Sequence, residues 1–300
     1  MEISKGITLN ITLPNKKSSI SPDKDPKGLS SEESPCSTGP LPVTFSPSLP
    51  DPIVIPPNYH DMIPILFTTD HRAILYLGQW NQVVPHVTDL AVLISRMSLI
   101  QNPKLQIFGK EAVSHRSVGF FSDQSEGYRF SGQIMKSQPL FPELKQIIDK
   151  INQIFSTEQV QIPNDIDRKF LWPPGVHRNF NGILVNYYAD GSEYISAHSD
   201  DEKELSPSGV FALSMGSIRD FQILAKQQGQ TYCYLDPVTN QWCINASQKK
   251  DQVIYTLATY DHSVMLMHGP QFQKVFKHAV PVSKIPVGPR ISWTWRSHLK

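Results

Sequence analysis

The sequence predicts an α+β fold on three observations. Residues 1–57 hold 11 of the 25 prolines together with many serines. Helical periodicity shows at about 88–97 and again at about 140–155, and after about 180 the chain becomes a succession of short strands separated by turns. Helices first and strands later describe a double-stranded β-helix, or jelly roll, buttressed by helices and preceded by a disordered N-terminal tail. The expected units are a tail at 1–57 and one domain at 58–300, with its jelly-roll core at about 180–300.

The tail carries five lysines against six acidic residues and little apolar content, a composition that cannot offset the entropy of ordering it. It reads as a solvated leader, with a tether or a docking segment for another protein as the alternative. The opening M-E-I-S-K-G-I-T-L-N lacks the apolar run of a signal peptide. No segment approaches the roughly 20 apolar residues of a membrane span. A soluble, intracellular monomer is expected, nuclear or cytoplasmic, with no membrane partner. Cys36, Cys233 and Cys243 are too few and too scattered for a disulfide framework. A Cys233–Cys243 bridge across the turn L-D-P-V-T-N is the one pairing left open. The net charge of +1 weighs against a long basic groove, so any nucleic-acid binding would rely on a local basic face, stacking and base insertion.

In chain order, T-D-L-A-V-L-I-S-R-M (88–97) reads as a helix and K-L-Q-I-F-G-K (104–110) as a strand or hairpin arm. In the next segment Leu140, Leu144, Ile148, Ile151 and Phe155 recur at helical spacing, with Pro142 suited to the first turn. That helix should cover a sheet with its apolar face. The strands that follow are G-I-L-V-N-Y-Y, V-F-A-L-S-M-G, F-Q-I-L-A, Q-T-Y-C-Y, Q-V-I-Y-T-L, S-V-M-L-M-H, K-H-A-V-P and R-I-S-W-T-W-R.

Two features of the strand region carry chemistry. In H-S-D, His198 and Asp200 are two apart and project to one side of an extended segment, where they can bind one cation. A histidine from a distant strand would complete a two-histidine, one-carboxylate face with open positions on iron(II). By itself H-x-D is a weak signal, because a histidine beside acids is usually solvated. The second feature is the strand R-I-S-W-T-W-R, where Arg290, Ser292, Thr294 and Arg296 share one face against Ile291, Trp293 and Trp295. A carboxylate-bearing cosubstrate needs an always-charged, bidentate partner in a closed cavity, which is an arginine's role. Arg290 follows His278 by 12 residues, enough for a turn and a strand. The polar face is therefore expected to line the cavity, and the aromatic face to pack on the supporting helices.

With these residues in view the chain resembles the AlkB-like iron(II)/2-oxoglutarate dioxygenases, especially their DNA-alkylation-repair branch, from about 105 to 296. The motifs are N-Y-Y-A-D-G, H-S-D-D-E, S-M-G-S-I-R-D-F, M-H-G-P-Q-F-Q-K-V-F-K-H-A-V-P and R-I-S-W-T-W-R, with F-G-K and G-Y-R-F-S-G upstream. The resemblance implies Fe(2+), 2-oxoglutarate and O2. Its metal ligands fall on His198, Asp200 and His278, with His268 as the rival for the third place. Its cosubstrate site falls on Asn186, Tyr188, Arg290, Ser292, Thr294 and Arg296. Ser292 departs from the family, which commonly has Asn there, and Phe276 stands where Trp is common.

The resemblance also implies a nucleotide-recognition lid at about 105–135. Its finger would be Phe108, Gly109 and Lys110, and Tyr128, Arg129 and Phe130 would wall the pocket for a base extruded from the stack. Asp201 and Glu202 would attract a cationic methylated base. The implied activity is oxidative demethylation of N-alkylated bases such as 1-methyladenine and 3-methylcytosine in DNA, releasing formaldehyde. RNA is the alternative substrate, and a protein or small-molecule hydroxylase is the more distant one.

Overall fold

The structure is a computed structural model that describes residues 62–83, 90–107, 110–130, 133–156, 179–200, 209–269 and 271–298. The expected tail at 1–57, Phe108, Gly109, Asp201 and Glu202 lie outside the described residues. So does the Phe130 side chain.

Nine strands precede or open the jelly-roll region: β1 Ile63–Thr68, β2 Ile74–Gln79, β3 Ile100–Gln101, β4 Lys104–Ile107, β5 Lys110–Val113, β6 Ser117–Phe121, β7 Gly127–Phe130, β8 Gln133–Lys136 and β9 Gly182–Tyr188. The remainder are β10 Ile195–His198, β11 Val210–Gly216, β12 Arg219–Ala225, β13 Thr231–Leu235, β14 Trp242–Ala246, β15 Gln252–Thr259, β16 Ser263–His268, β17 Phe276–Val280 and β18 Arg290–Arg296. One sheet runs β14-β13-β1-β2-β16-β11-β18-β9-β6-β3, and a second, smaller sheet runs β10-β17-β12-β15. Both are antiparallel, and β4–β5 and β7–β8 stand apart as two hairpins.

The large sheet is buried on both faces, which explains why its central strands read as near-continuous apolar runs. Along β11, Phe211, Leu213 and Met215 join the core beneath the long helix Pro142–Ser156, while Val210 and Ala212 face the smaller sheet. The helix contributes Leu144, Ile147, Ile148, Ile151 and Phe155, an i, i+3, i+4, i+7 stripe that meets Trp293 and Trp295 of β18. Both indoles are fully buried, and truncating either would cost about 3–5 kcal/mol. The interior between the two sheets, where Tyr188, Phe221, Ile223 and Phe276 pack, is where the polar face of β18 points. Gly216 closes β11 with φ +88°, and a Cβ there would lie 2.5 Å from the Pro289 carbonyl oxygen. That contact explains the glycine of S-M-G.

Two expectations need correction and one open alternative is closed. The jelly-roll sheet is not confined to 180–300: β1 and β2 pair with β13 and β16, and β6, inside the stretch read as a lid, pairs with β9. The helix read at 88–97 is a single turn, Ala91–Ile94, among the described residues. A Cys233–Cys243 bridge is also excluded. Across the β13–β14 ladder Cys233 faces Ile244 and Cys243 faces Tyr234, so the two thiols point to opposite sides of the sheet. β13 and β14 form a hairpin at the edge of the large sheet.

Candidate active site

His198 ends β10 and stands directly opposite His278 on β17, so an antiparallel pairing brings together residues 80 positions apart. The register alone sets their ring centroids 4.3 Å apart. Asp200 follows two residues later, with its backbone N–H donating to Gln273 Oε1 at 3.0 Å. Ser199, between them, donates its hydroxyl to the Phe276 carbonyl and ties the segment to β17. Nε2 of His198 lies 3.8 Å and Nε2 of His278 lies 3.6 Å from the Asp200 carboxylate, and one ligand atom from each of the three falls within 4.8 Å of the others.

This trio fits a divalent metal on its own chemistry. The Nδ1 of His198 is 2.8 Å from the Ser196 carbonyl oxygen, which favours the proton on that nitrogen and leaves the Nε2 lone pair for a metal. Burial lowers the basicity of both imidazoles and brings that of His278 to about 3. Both are therefore neutral ligands at pH 7. Burial alone would push the Asp200 carboxyl up, but the Arg296 guanidinium and the two histidines outweigh it and bring the pKa down to about 2. Asp200 Oδ2 is buried with no hydrogen-bond partner among the described residues, which is how an atom awaiting a metal would look.

The polar face of β18 does point inward. Arg290 is 2% exposed and Arg296 3%. Arg296 Nη2 donates to Asp200 Oδ1 at 2.8 Å and Nη1 to the Tyr128 hydroxyl at 3.3 Å, with the guanidinium 5.0 Å from the Tyr128 ring centroid. Arg290 Nη2 donates to Ser214 Oγ at 2.8 Å, and its guanidinium lies 5.4 Å from the Tyr188 ring centroid. Its Nε and Nη1 have no hydrogen-bond partner among the described residues, and no carboxylate there pairs with it. Burial depresses its basicity, with Tyr188 opposing the effect. A buried guanidinium with unused donors fits a dicarboxylate cosubstrate.

The remaining residues fall out unevenly. Asn186 accepts a hydrogen bond from Arg116 Nε at 2.8 Å. Ser292 is half-buried between Ser214 and Asn186 on the neighbouring strands, and Thr294 is buried between Ala212 and Leu184. Tyr128 is buried on β7, whereas Arg129 on β7 and Lys110 on β5 are exposed. His268 does not join the trio. It ends β16 in the large sheet and packs edge-on against Tyr76.

Two residues went unassigned from the sequence. Arg219, the arginine of S-M-G-S-I-R-D-F, donates to the carbonyls of Asp190, Glu193 and Pro281, and its guanidinium lies 5.6 Å from the Tyr188 ring centroid. It pins the turn that delivers H-S-D, and its place in the motif was the available signal. Arg116, which holds Asn186 and whose charge lowers the basicity of His198, had no motif to flag it.

Two histidines and one carboxylate in the mouth of an antiparallel double-sheet barrel, beside a buried arginine, define a non-haem iron(II) oxygenase that uses a 2-oxo acid. Residues 91–296 match the 2OG-Fe(II) oxygenase superfamily, and the chain belongs to it. It is a 2-oxoglutarate-dependent dioxygenase, with Fe(2+) as its metal and 2-oxoglutarate and O2 as cosubstrates. DNA oxidative demethylase ALKBH2 of Mus musculus is 26% identical over 197 residues, covering 65% of this chain and 67% of that one. The Homo sapiens protein of the same name is 26% identical over 197 residues, covering 65% and 61%. The Arabidopsis thaliana one is 28% identical over 206 residues, covering 65% and 56%. The matched stretch thus spans 56% to 67% of the length of these relatives. The solved structure of OsALKBH1 aligns with a TM-score of 0.41 at 16% identity, covering 75% of this chain and 96% of that one. Among the described residues no helix is long and apolar enough to cross a membrane.

Proposed function

We propose that this chain is an oxidative demethylase of N-alkylated bases in DNA, of the 1-methyladenine and 3-methylcytosine kind. The observation that carries the reading is the Asp200–Arg296–Tyr128 chain, in which one guanidinium contacts both a metal ligand and the aromatic hairpin β7–β8. A tyrosine ring linked through Arg296 to a metal ligand suits a flat base that must stack inside a pocket. A protein or small-molecule hydroxylase would leave that ring unused. The names of the relatives support the same substrate class.

His198, Asp200 and His278 would hold iron(II), which with 2-oxoglutarate and dioxygen would supply the oxidant for the N-methyl carbon, with succinate and carbon dioxide as the coproducts. The C–N bond of the resulting N-hydroxymethyl group breaks with its electron pair left on the base nitrogen, the hydroxyl proton leaves to solvent, and formaldehyde is released with the neutral base. Arg290 clamps the distal carboxylate of the cosubstrate with the donors it does not spend on Ser214, while Tyr188 packs against the clamp. Arg296 fixes the Asp200 carboxylate and, through Tyr128, the wall. The closed interior excludes water from the reacting carbon. Lys110 on β5 would meet a phosphate, and Asp201 and Glu202 would attract the positive charge of the methylated base. The N-terminal segment is a solvated leader, with a tether or docking segment as the alternative, and the enzyme acts as a monomer.

The test is succinate and formaldehyde release with methylated and unmethylated DNA and RNA, single-stranded and duplex. Methylated DNA should raise turnover well above the substrate-free rate, and His198→Ala should abolish it. Stimulation by methylated RNA alone would transfer the activity to RNA. No stimulation by any methylated nucleic acid would sink the reading.

A further inference from the structure

The end of β12, the turn before β15 and the segment leading into β17 converge on a cleft of about 580 Å³ lined by Lys226, Lys250, Lys274 and Lys277 with Gln227 and Gln228. Four ammonium groups from three separate segments meet there in a chain whose total charge is only +1. Asp251 pairs with Lys277 at 2.7 Å, and Lys226 Nζ donates to the Gln273 carbonyl at 2.6 Å. Lys250 and Lys274 are exposed and form no ion pair among the described residues. Gathering like charges on a nearly neutral chain costs repulsion, which a polyanion in the cleft would convert to attraction.

The cleft adjoins the metal site. Gln273 faces both: its carbonyl holds Lys226, and its side chain accepts the backbone N–H of Asp200. An anion seated here is therefore a near neighbour of whatever reacts at the metal. A strand that inserts a base beside Asp200 leaves its phosphates outside the pocket, and Gln273 sets the lysines next to the segment that carries Asp200.

We propose that the Lys226–Lys250–Lys274–Lys277 cleft is the track for the phosphodiester backbone of the strand whose base enters the metal pocket. The proposal rests on the nucleic-acid reading above and adds to it the surface that holds the strand. Lysines here grip phosphate and carry no sequence information, so they set affinity and salt dependence and leave base choice to the pocket.

The experiment compares the full chain with the variant Lys250→Gln/Lys274→Gln, using a fluorescently labelled single strand bearing one 3-methylcytosine. Affinity is measured by anisotropy from about 0.05 to 0.2 M salt. Each single-strand phosphate contact contributes about 0.7 to the slope of log K against log salt, so losing two should flatten it by about 1.4 and weaken binding roughly 25-fold near 0.1 M. The control variant Lys145→Gln/Lys150→Gln removes the same charge from the helix Pro142–Ser156, on the far side of the large sheet. It should keep both the slope and the affinity, and thermal melting verifies that each variant is folded. If the wild type binds the strand and the cleft variant keeps its slope and affinity, the track is wrong while the nucleic-acid reading stands. An equal loss in the control variant also overturns the track, because the effect is then general charge. If the wild type binds no nucleic acid, track and reading fail together.

Discussion

Arg290 and Arg296 share one face of one strand, and both are all but buried, yet they are satisfied in different ways. Arg296 has its counter-charge in the fold: Asp200 at 2.8 Å, with Tyr128 on its other side. Arg290 has a serine hydroxyl and an aromatic face, while Nε and Nη1 remain without a hydrogen-bond partner among the described residues. A buried cation with its carboxylate belongs to the architecture of the site. A buried cation without one is tolerated where a ligand supplies the missing charge. The same residue type, six positions apart, thus divides into an arginine paired with Asp200 inside the fold and one that the proposed function assigns to the cosubstrate.

The largest effect should come from breaking the internal pair. Arg296→Met leaves the Asp200 carboxylate buried without its counter-charge, which should cost about 3–5 kcal/mol of stability in the metal-free protein. Urea denaturation with and without a redox-silent divalent metal such as Mn(2+) measures it. The metal should return more of the lost stability to the variant than it adds to the wild type, because it substitutes for the missing cation. A loss below about 1 kcal/mol would mean that the pair does not hold the site together.

Arg290→Met should do the reverse. Replacing an uncompensated buried charge by an apolar side chain of similar reach is neutral or stabilising for the fold, while binding of 2-oxoglutarate should weaken by about 2–5 kcal/mol. Calorimetric titration of the Mn(2+)-loaded protein reads the second quantity and a melting curve the first. Arg290→Lys should not restore affinity, since an ammonium cannot present the bidentate fork. Retained affinity in Arg290→Met would remove Arg290 from the clamp and erase the contrast between the two arginines.

Much of this contrast could be read from sequence, and the part that could not has a physical cause. The alternation in R-I-S-W-T-W-R assigned the two faces of β18, because a period of two admits only two arrangements once one face is known to be buried. The helix Pro142–Ser156 was legible for the same kind of reason, since five apolar residues at helical spacing have one way to bury together. β1 and β2 were missed because runs such as I-P-I-L-F-T and I-L-Y-L-G-Q are short, apolar on both faces and give no period to count. The partner of each arginine was also invisible. Whether a buried guanidinium meets Asp200 or only Ser214 depends on the β10–β17 and β11–β18 registers, which are long-range. Arg116 shows the same limit: it reaches Asn186 from 70 residues away with no motif around it.

The smallest effect tests the residue between the two arginines. Ser292 lies in register with Ser214, the hydroxyl that receives Arg290, and with Asn186, the amide that receives Arg116. Its hydroxyl is short and its side chain is only half-buried, so there is room for a longer group at that point of the strand. Ser292→Asn restores the residue common among the relatives that the motif resembles, and adds one donor on the side of Arg290. One further neutral hydrogen bond contributes about 0.5–1.5 kcal/mol, so 2-oxoglutarate should bind about 2- to 12-fold tighter, lowering its KM with kcat unchanged. An unchanged KM would show that the cosubstrate carboxylate does not reach β18 at 292 and is held by Arg290 alone. A raised KM would show that the added volume displaces the clamp, placing Ser292 in contact with the guanidinium's side of the cavity.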